Sequence, residues 1–271
     1  MAFFHIDNIN NSLWQFDEEK TDGVWTALLS LGRIYQLGES TRLSATIDFS
    51  HQLHNEFRRL DNSRGGGSLT LSKKLGLGPS TPWIQGGFSV ANTFSRSDVR
   101  DGQVYSASVR LGKRIAERVD LDLGYTFDLS DSVDSDPVAV WNGRETGLTG
   151  DAFDQQGHKG DVRMNFLATN NMLLTVDYSL RRGEVTSTCT GDSFTKVLNA
   201  GIVTAATTDD VFGGCAYRSD ATTNAVAVDV NQAFWSGHAS LNFGYEYRRS
   251  DSGEGIAYRN NLLRVTLSYT Y

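Results

Sequence analysis

Arginine and aspartate recur at even spacing along this chain: Arg110 and Arg114, Asp120 and Asp122, Asp161 and Arg163, Asp177 and Arg181. Between them stand Val109 and Leu111, Leu121 and Leu123, Val162 and Met164, Val176 and Tyr178. Residues that alternate with period two on a β-strand point to opposite faces, so the charges share one face and the apolar side chains the other. Arg42, Asp48, Asp128, Asp229, Glu246, Arg248 and Arg264 take the same phase in other segments. A face carrying both signs can line a narrow aqueous path, or it can lock into a plug of ion pairs. The residue types allow either chemistry.

Other groups offer less. His51 and His54 fall on opposite faces of one segment and cannot share a metal without distortion, and His158 stands alone. The acids Asp131, Asp134, Asp136, Asp151 and Asp154 match no standard calcium-loop spacing. No glycine-rich phosphate loop, paired Cys-x-x-Cys or nucleophile elbow is present, so neither a cofactor nor a metal is expected and no catalytic residue is assigned. Cys189 and Cys215 lie in one long loop, where an oxidising external compartment favours a disulfide over two free thiols.

The elements that would carry the charged face are strands. At the end of the chain Leu263, Val265, Leu267, Tyr269 and Tyr271 alternate with Arg264, Thr266, Ser268 and Thr270. Similar alternation recurs along the chain, and strands are expected at 9-18, 23-37, 41-55, 67-78, 83-96, 103-115, 118-130, 158-169, 171-185, 223-235, 238-250 and 257-271. Residues 9-18 alternate poorly and are included to keep the count even. Short connections alternate with long ones at 56-66, 131-157, 186-222 and 251-256. This is the pattern of a transmembrane antiparallel up-and-down β-barrel, all-β and of twelve strands, formed by one domain over 1-271. With its terminal aromatic Tyr271, the last segment resembles the closing strand of Gram-negative outer-membrane barrels. That resemblance implies an outer-membrane location and assigns no activity.

Register gives an internal check. Pairing Leu111 with Leu123 and Val109 with Tyr125 brings Arg114 opposite Asp120 and Arg110 diagonal to Asp122. Pairing Phe166 with Leu174 and Met164 with Val176 brings Arg163 opposite Asp177 and Asp161 diagonal to Arg181. Matching the apolar face thus matches opposite charges on the other.

Composition agrees. The 271 residues are 39% hydrophobic, mean hydropathy is −0.34, and no apolar run is long enough for a transmembrane helix. A barrel needs only every second residue to face lipid. Pro79, Pro82 and Pro137 fall in turns or loops, where they interrupt no ladder. Arg33, Lys73 and Lys113 sit in the apolar phase a few residues before short turns, placed to reach inner-leaflet headgroups or to make a protein or lipid contact on that flank. A net charge of −7 without a basic patch argues against nucleic acid. No positively charged leader with an apolar core is present, and the expectation is a mature chain that starts near Ala2 after removal of an export signal.

The expected partners are outer-membrane lipids and small polar solutes, with a protein partner or oligomer left open. The leading expectation for function is a channel for small polar or charged solutes, narrowed or gated by loops 131-157 and 186-222. An outer-membrane enzyme of phospholipase or protease type, or a structural or translocator barrel, is the alternative. His238-Ala239-Ser240 resembles the His-x-Ser pair of outer-membrane phospholipase A, itself a twelve-strand barrel. Here both side chains point inward beside a short turn, away from outer-leaflet lipid.

Overall fold

The computed structural model describes residues 1–11, 19–132, 140–141, 144–145, 148 and 150–270. In chain order its strands are β1 (Ala2–Ile6), β2 (Asp22–Gly38), β3 (Thr41–His54), β4 (Asn62–Lys74), β5 (Trp83–Ser95), β6 (Gly102–Ala116) and β7 (Val119–Ser132). A two-residue ribbon, β8 (Val140–Trp141) with β9 (Arg144–Glu145), precedes β10 (Gln155–Thr169) and β11 (Met172–Cys189). Helix α1 (Gly191–Asn199), β12 (Val203–Thr208), β13 (Cys215–Phe234), β14 (Ala239–Gly253) and β15 (Ile256–Tyr269) follow.

Twelve of these strands pair in sequence order as an antiparallel ring, which β1–β15 and β11–β13 pairing closes. Closure satisfies backbone groups that hydrocarbon cannot hydrate, which is why a chain without an apolar helix can cross a membrane. Leu29, Leu31, Phe49, Leu69, Phe88, Phe243 and Leu267 are exposed on the outer face, where lipid replaces a protein core.

Register follows the apolar face as the alternation requires. Leu111 opposes Leu123, Arg114 opposes Asp120, Met164 opposes Val176, and Arg163 opposes Asp177. The first strand is different from expectation. Residues 9–11 form no strand, 12–18 lie outside the described residues, and Ala2–Ile6 supplies the twelfth strand instead. Its Phe3 packs on Trp25 with ring centroids 4.8 Å apart, an apolar contact that the irregular Asn8–Asn11 run cannot make. β1 pairs with Asp22–Thr26 of β2 and with Leu262–Thr266 of β15, and the Met1 amine donates to the Leu267 carbonyl at 2.8 Å. Below Thr26, β2 pairs with β3 alone among the described strands.

Two other segments depart from the expected boundaries. β4 begins at Asn62, taking in Gly65-Gly66-Gly67, because those glycines permit a close strand approach: a Cβ on Gly66 would lie 2.5 Å from the Val90 carbonyl oxygen. Residues 186–222 hold strand ladder and a helix where one long loop is expected. β11 and β13 continue past the barrel until Cys189 opposes Cys215, and a disulfide joins them there.

Candidate functional site: the lumen and its roof

Among the described residues, six arginine–carboxylate pairs lie on the inner face. They are Arg110–Asp161 at 2.8 Å, Arg114–Asp120 at 2.8 Å, Arg163–Asp177 at 3.0 Å, Arg181–Asp128 at 2.7 Å, Arg248–Glu246 at 2.6 Å and Arg264–Asp229 at 2.5 Å. The two directly opposed pairs, Arg114–Asp120 and Arg163–Asp177, follow from register. The diagonal pairs do not form: Arg110 turns from Asp122 to Asp161, and Arg181 turns from Asp161 to Asp128.

Glycine explains this exchange. Gly124 stands between Arg110 on β6 and Asp161 on β10 in a single register row. A Cβ there would lie 2.5 Å from an Asp161 oxygen and 2.7 Å from an Arg110 nitrogen. Gly244 stands likewise between Asp229 and Arg264, with its Cβ position 2.3 Å from an Asp229 oxygen. At Gly157 a Cβ would fall 2.3 Å from the Arg181 guanidinium carbon. Each of these three arginines therefore crosses bare backbone and lies against the wall. Gly244→Val is expected to cost about 1–3 kcal/mol through overpacking and to push the Arg264 pair into the lumen. Reduced single-channel conductance in a variant that still shows the heat-dependent gel shift of a folded barrel would check this.

Exposure separates buried pairs from solvated ones. Asp161 keeps 1% of its side-chain surface, whereas Arg114 and Asp120 keep 42% and 39%. Asp122 is buried against Gly112, Trp83 and Asn165, so the expectation that it meets open water is corrected: it belongs to the wall. Arg110 and Asp161 are close, yet their angles make no aligned hydrogen bond, and proximity of charge holds the pair.

The lumen contains a cavity of about 1860 Å³. Of the expected lining, Asp128, Arg163, Asp177, Arg181, Asp229, Glu246, Arg248 and Arg264 border it. Arg42, Asp48, Arg110, Arg114, Asp120, Asp122 and Asp161 do not; among them Asp48 accepts from Ser30 Oγ at 2.5 Å. Lys159 also borders the cavity, in phase with Asp161 and Arg163, so the alternation carried the signal for it. Beside Met1 the cavity reaches Leu28–Gly32, the edge of β2 that β1 leaves unpaired.

A roof closes one side of the mouth. The inward residues Cys189, Cys215, Tyr217, Ile256 and Tyr258 pack with Phe194 and Val197 of α1 and with Ala206 of β12 into a small apolar core. The Tyr217 and Tyr258 hydroxyls meet at 2.8 Å within it. Gly214, with φ +81°, brings the chain back against the Cys189 carbonyl, where any side chain would clash. From this core the segment 209–214 spans the mouth. β13 stands opposite β4 and β5 in the ring, and the segment is fastened to the loops beside those strands: Arg100 pairs with Asp209 at 3.0 Å and Arg59 with Asp210 at 2.8 Å. Ser97 Oγ donates to Asp210 at 2.7 Å, and Phe57 packs on Phe212 with centroids 4.8 Å apart. Asn10 and Asn11 add a second crossing, since the Asn10 carbonyl accepts from Thr188 N–H at 3.2 Å and Asn11 Nδ2 donates to the Thr186 carbonyl at 3.1 Å. These latch residues were illegible in sequence because they join loops far apart in the chain.

The remaining candidates hold structure. His51 contacts Ser63 Oγ, and His158 meets the Tyr125 hydroxyl at 2.7 Å on the outer face. His54, at the external end of β3, is held below the usual imidazole range by burial, against the opposing pull of Asp22 and Asp61. At neutral pH the charged partner of Asp61 is therefore Arg96, at 3.3 Å. His238 contacts the Thr270 carbonyl beside the turn at 235–237. Asp154 accepts from Ser132 N–H and Oγ, while Asp134 and Asp136 lie outside the described residues.

A closed twelve-strand meander, apolar outside and charged within, is the fold of outer-membrane β-barrels. Among solved structures it is similar to the COG4313 outer membrane channel from Pseudomonas putida F1, with TM-score 0.57 and 12% identity over 98% of this chain and 93% of that one. It also aligns with the NanC porin at TM-score 0.49 and 11% identity, over 100% and 99% of the two chains. The KdgM porin in complex with disordered oligogalacturonate aligns at TM-score 0.45 and 11% identity, over the same shares. At these identities the likeness is one of fold. No family model matches the chain, and no curated protein matches its sequence.

Proposed function

We propose that the protein is an outer-membrane channel for passive diffusion of small polar or charged solutes through the charge-lined lumen. The observation that carries this reading is the placement of the ion pairs over Gly157 and Gly244, beside a cavity of about 1860 Å³. A structural plug would fill the bore with those guanidiniums; here the bare backbone gives them room at the wall. The segment 209–214 and its latches narrow the external entrance, so solute flux depends on how far that roof moves.

The test is conductance and reversal potential of refolded protein in a planar bilayer. Glu246→Gln is the informative change because Glu246 and Arg248 border the cavity and Arg248 is 53% exposed. Removing the acid leaves uncompensated positive charge beside the path, and the expected result is a shift of reversal potential toward anion permeability. Stability should change by about 0–1 kcal/mol, the scale of a solvated pair. An unchanged reversal potential with a large loss of thermal stability would assign Glu246 to a dry network and refute the solute path along it.

A further inference from the structure

The geometry points to a binding site for one inner-leaflet glycerophospholipid on the outer wall, with its phosphate on Arg33 and an acyl chain in the groove across β2–β5. Register places Arg33, Ala45, Leu69 and Phe88 in one outward row, and Leu31, Ile47, Gly67 and Val90 in the row above. Ala45 and Gly67 are small where their neighbours are large, and together these rows border a groove of about 540 Å³. Its walls are almost wholly apolar, which suits a hydrocarbon chain and repels water.

Arg33 gives this groove a headgroup preference. It lies in the apolar phase of β2, five residues before Gly38, where β2 ends at the short-turn side. Thr41 and Lys73 pair lower on the same wall, so Arg33 stands deeper in the membrane than the interfacial lysine. No carboxylate among the described residues pairs with it, and its guanidinium carbon lies 5.2 Å from the Tyr35 ring centroid, directed toward the short-turn side. A cation held in hydrocarbon without a counter-ion is costly. A phosphate drawn up from the inner-leaflet headgroups supplies the missing charge with strong, charge-assisted hydrogen bonds, and its acyl chain then lies beside Ala45 and Gly67. The occupant is thus fixed by both charge and shape.

Native mass spectrometry of the refolded barrel in mixed micelles with dioleoyl-phosphatidylglycerol tests this. Wild type is expected to retain one lipid. Arg33→Leu should lower the retained fraction roughly tenfold, the scale of one lost charge-assisted contact. Ala45→Phe, which fills the floor and leaves Arg33 in place, should lower it too, whereas Lys113→Leu on another flank should leave it unchanged. Dioleoylglycerol, which lacks the phosphate, should not be retained, and inorganic phosphate should not compete. Equal retention by Arg33→Leu and wild type, an equal fall with Lys113→Leu, or equal retention of dioleoylglycerol would each overturn the site. Retention that inorganic phosphate abolishes while Ala45→Phe leaves it intact would overturn the acyl groove. None of these readings depends on whether the lumen conducts.

Discussion

Arg110→Met is expected to destabilise the barrel more than any other single exchange among its ion pairs. Asp161 has 1% of its side-chain surface exposed and lies 2.8 Å from Arg110. Taking away the cation leaves a buried carboxylate without a counter-charge, at a cost of about 3–5 kcal/mol. Arg114→Met removes a superficially equivalent residue, but Arg114 and Asp120 keep 42% and 39% exposure, and an exposed pair contributes about 0–1 kcal/mol. The measurement is the temperature at which each variant loses its compact gel mobility. Arg110→Met should lose it well below wild type, Arg114→Met close to wild type, and Arg110→Met combined with Asp161→Leu should recover much of the loss. Equal behaviour of the two single variants would contradict the division between buried and solvated pairs.

The second large effect concerns the roof. Arg100 and Arg59 hold Asp209 and Asp210 across the mouth from the strands that carry them. Changing both arginines to alanine removes the ionic latch and also the stacking of Arg100 on Phe153, 4.4 Å from the ring centroid. The apolar core around Tyr217 and Tyr258 remains at one side, and among the described residues the far side keeps only the Ser97–Asp210 hydrogen bond and the Phe57–Phe212 contact. The expected result is a severalfold rise in mean conductance with little change in barrel stability, because the latch lies above the strand ladder. Cleavage at 209–214 by added protease should quicken in the same variant. Unchanged conductance together with faster proteolysis would show that the segment opens without limiting flux.

How far the sequence carried this account depends on which contacts period-two alternation can encode. It located the strands, the faces and the direct cross-strand pairs, since Leu111 opposite Leu123 leaves Arg114 no partner row but that of Asp120. It misplaced the diagonal partners of Arg110 and Arg181, because it scored charges and ignored the inward glycines. Gly124 opens a space that lets an arginine reach past its neighbouring strand, a three-strand effect outside any hairpin. The first strand is illegible in the sequence because Ala2–Ile6 is only five residues long and too short to show a period. The sequence shows one long loop over 186-222 where the ladder runs on to the Cys189–Cys215 pair. Its latches join residues more than a hundred positions apart, such as Ser97 with Asp210, and no local pattern records such a meeting.

Conductance of the refolded protein in a planar bilayer, recorded for wild type and for the Arg59→Ala, Arg100→Ala variant under identical salt, tests the central claim most directly. The channel account predicts discrete ionic steps, small or infrequent in wild type and larger or longer in the variant. Electrically silent bilayers with both proteins, each shown by its gel shift to be inserted and folded, would contradict it.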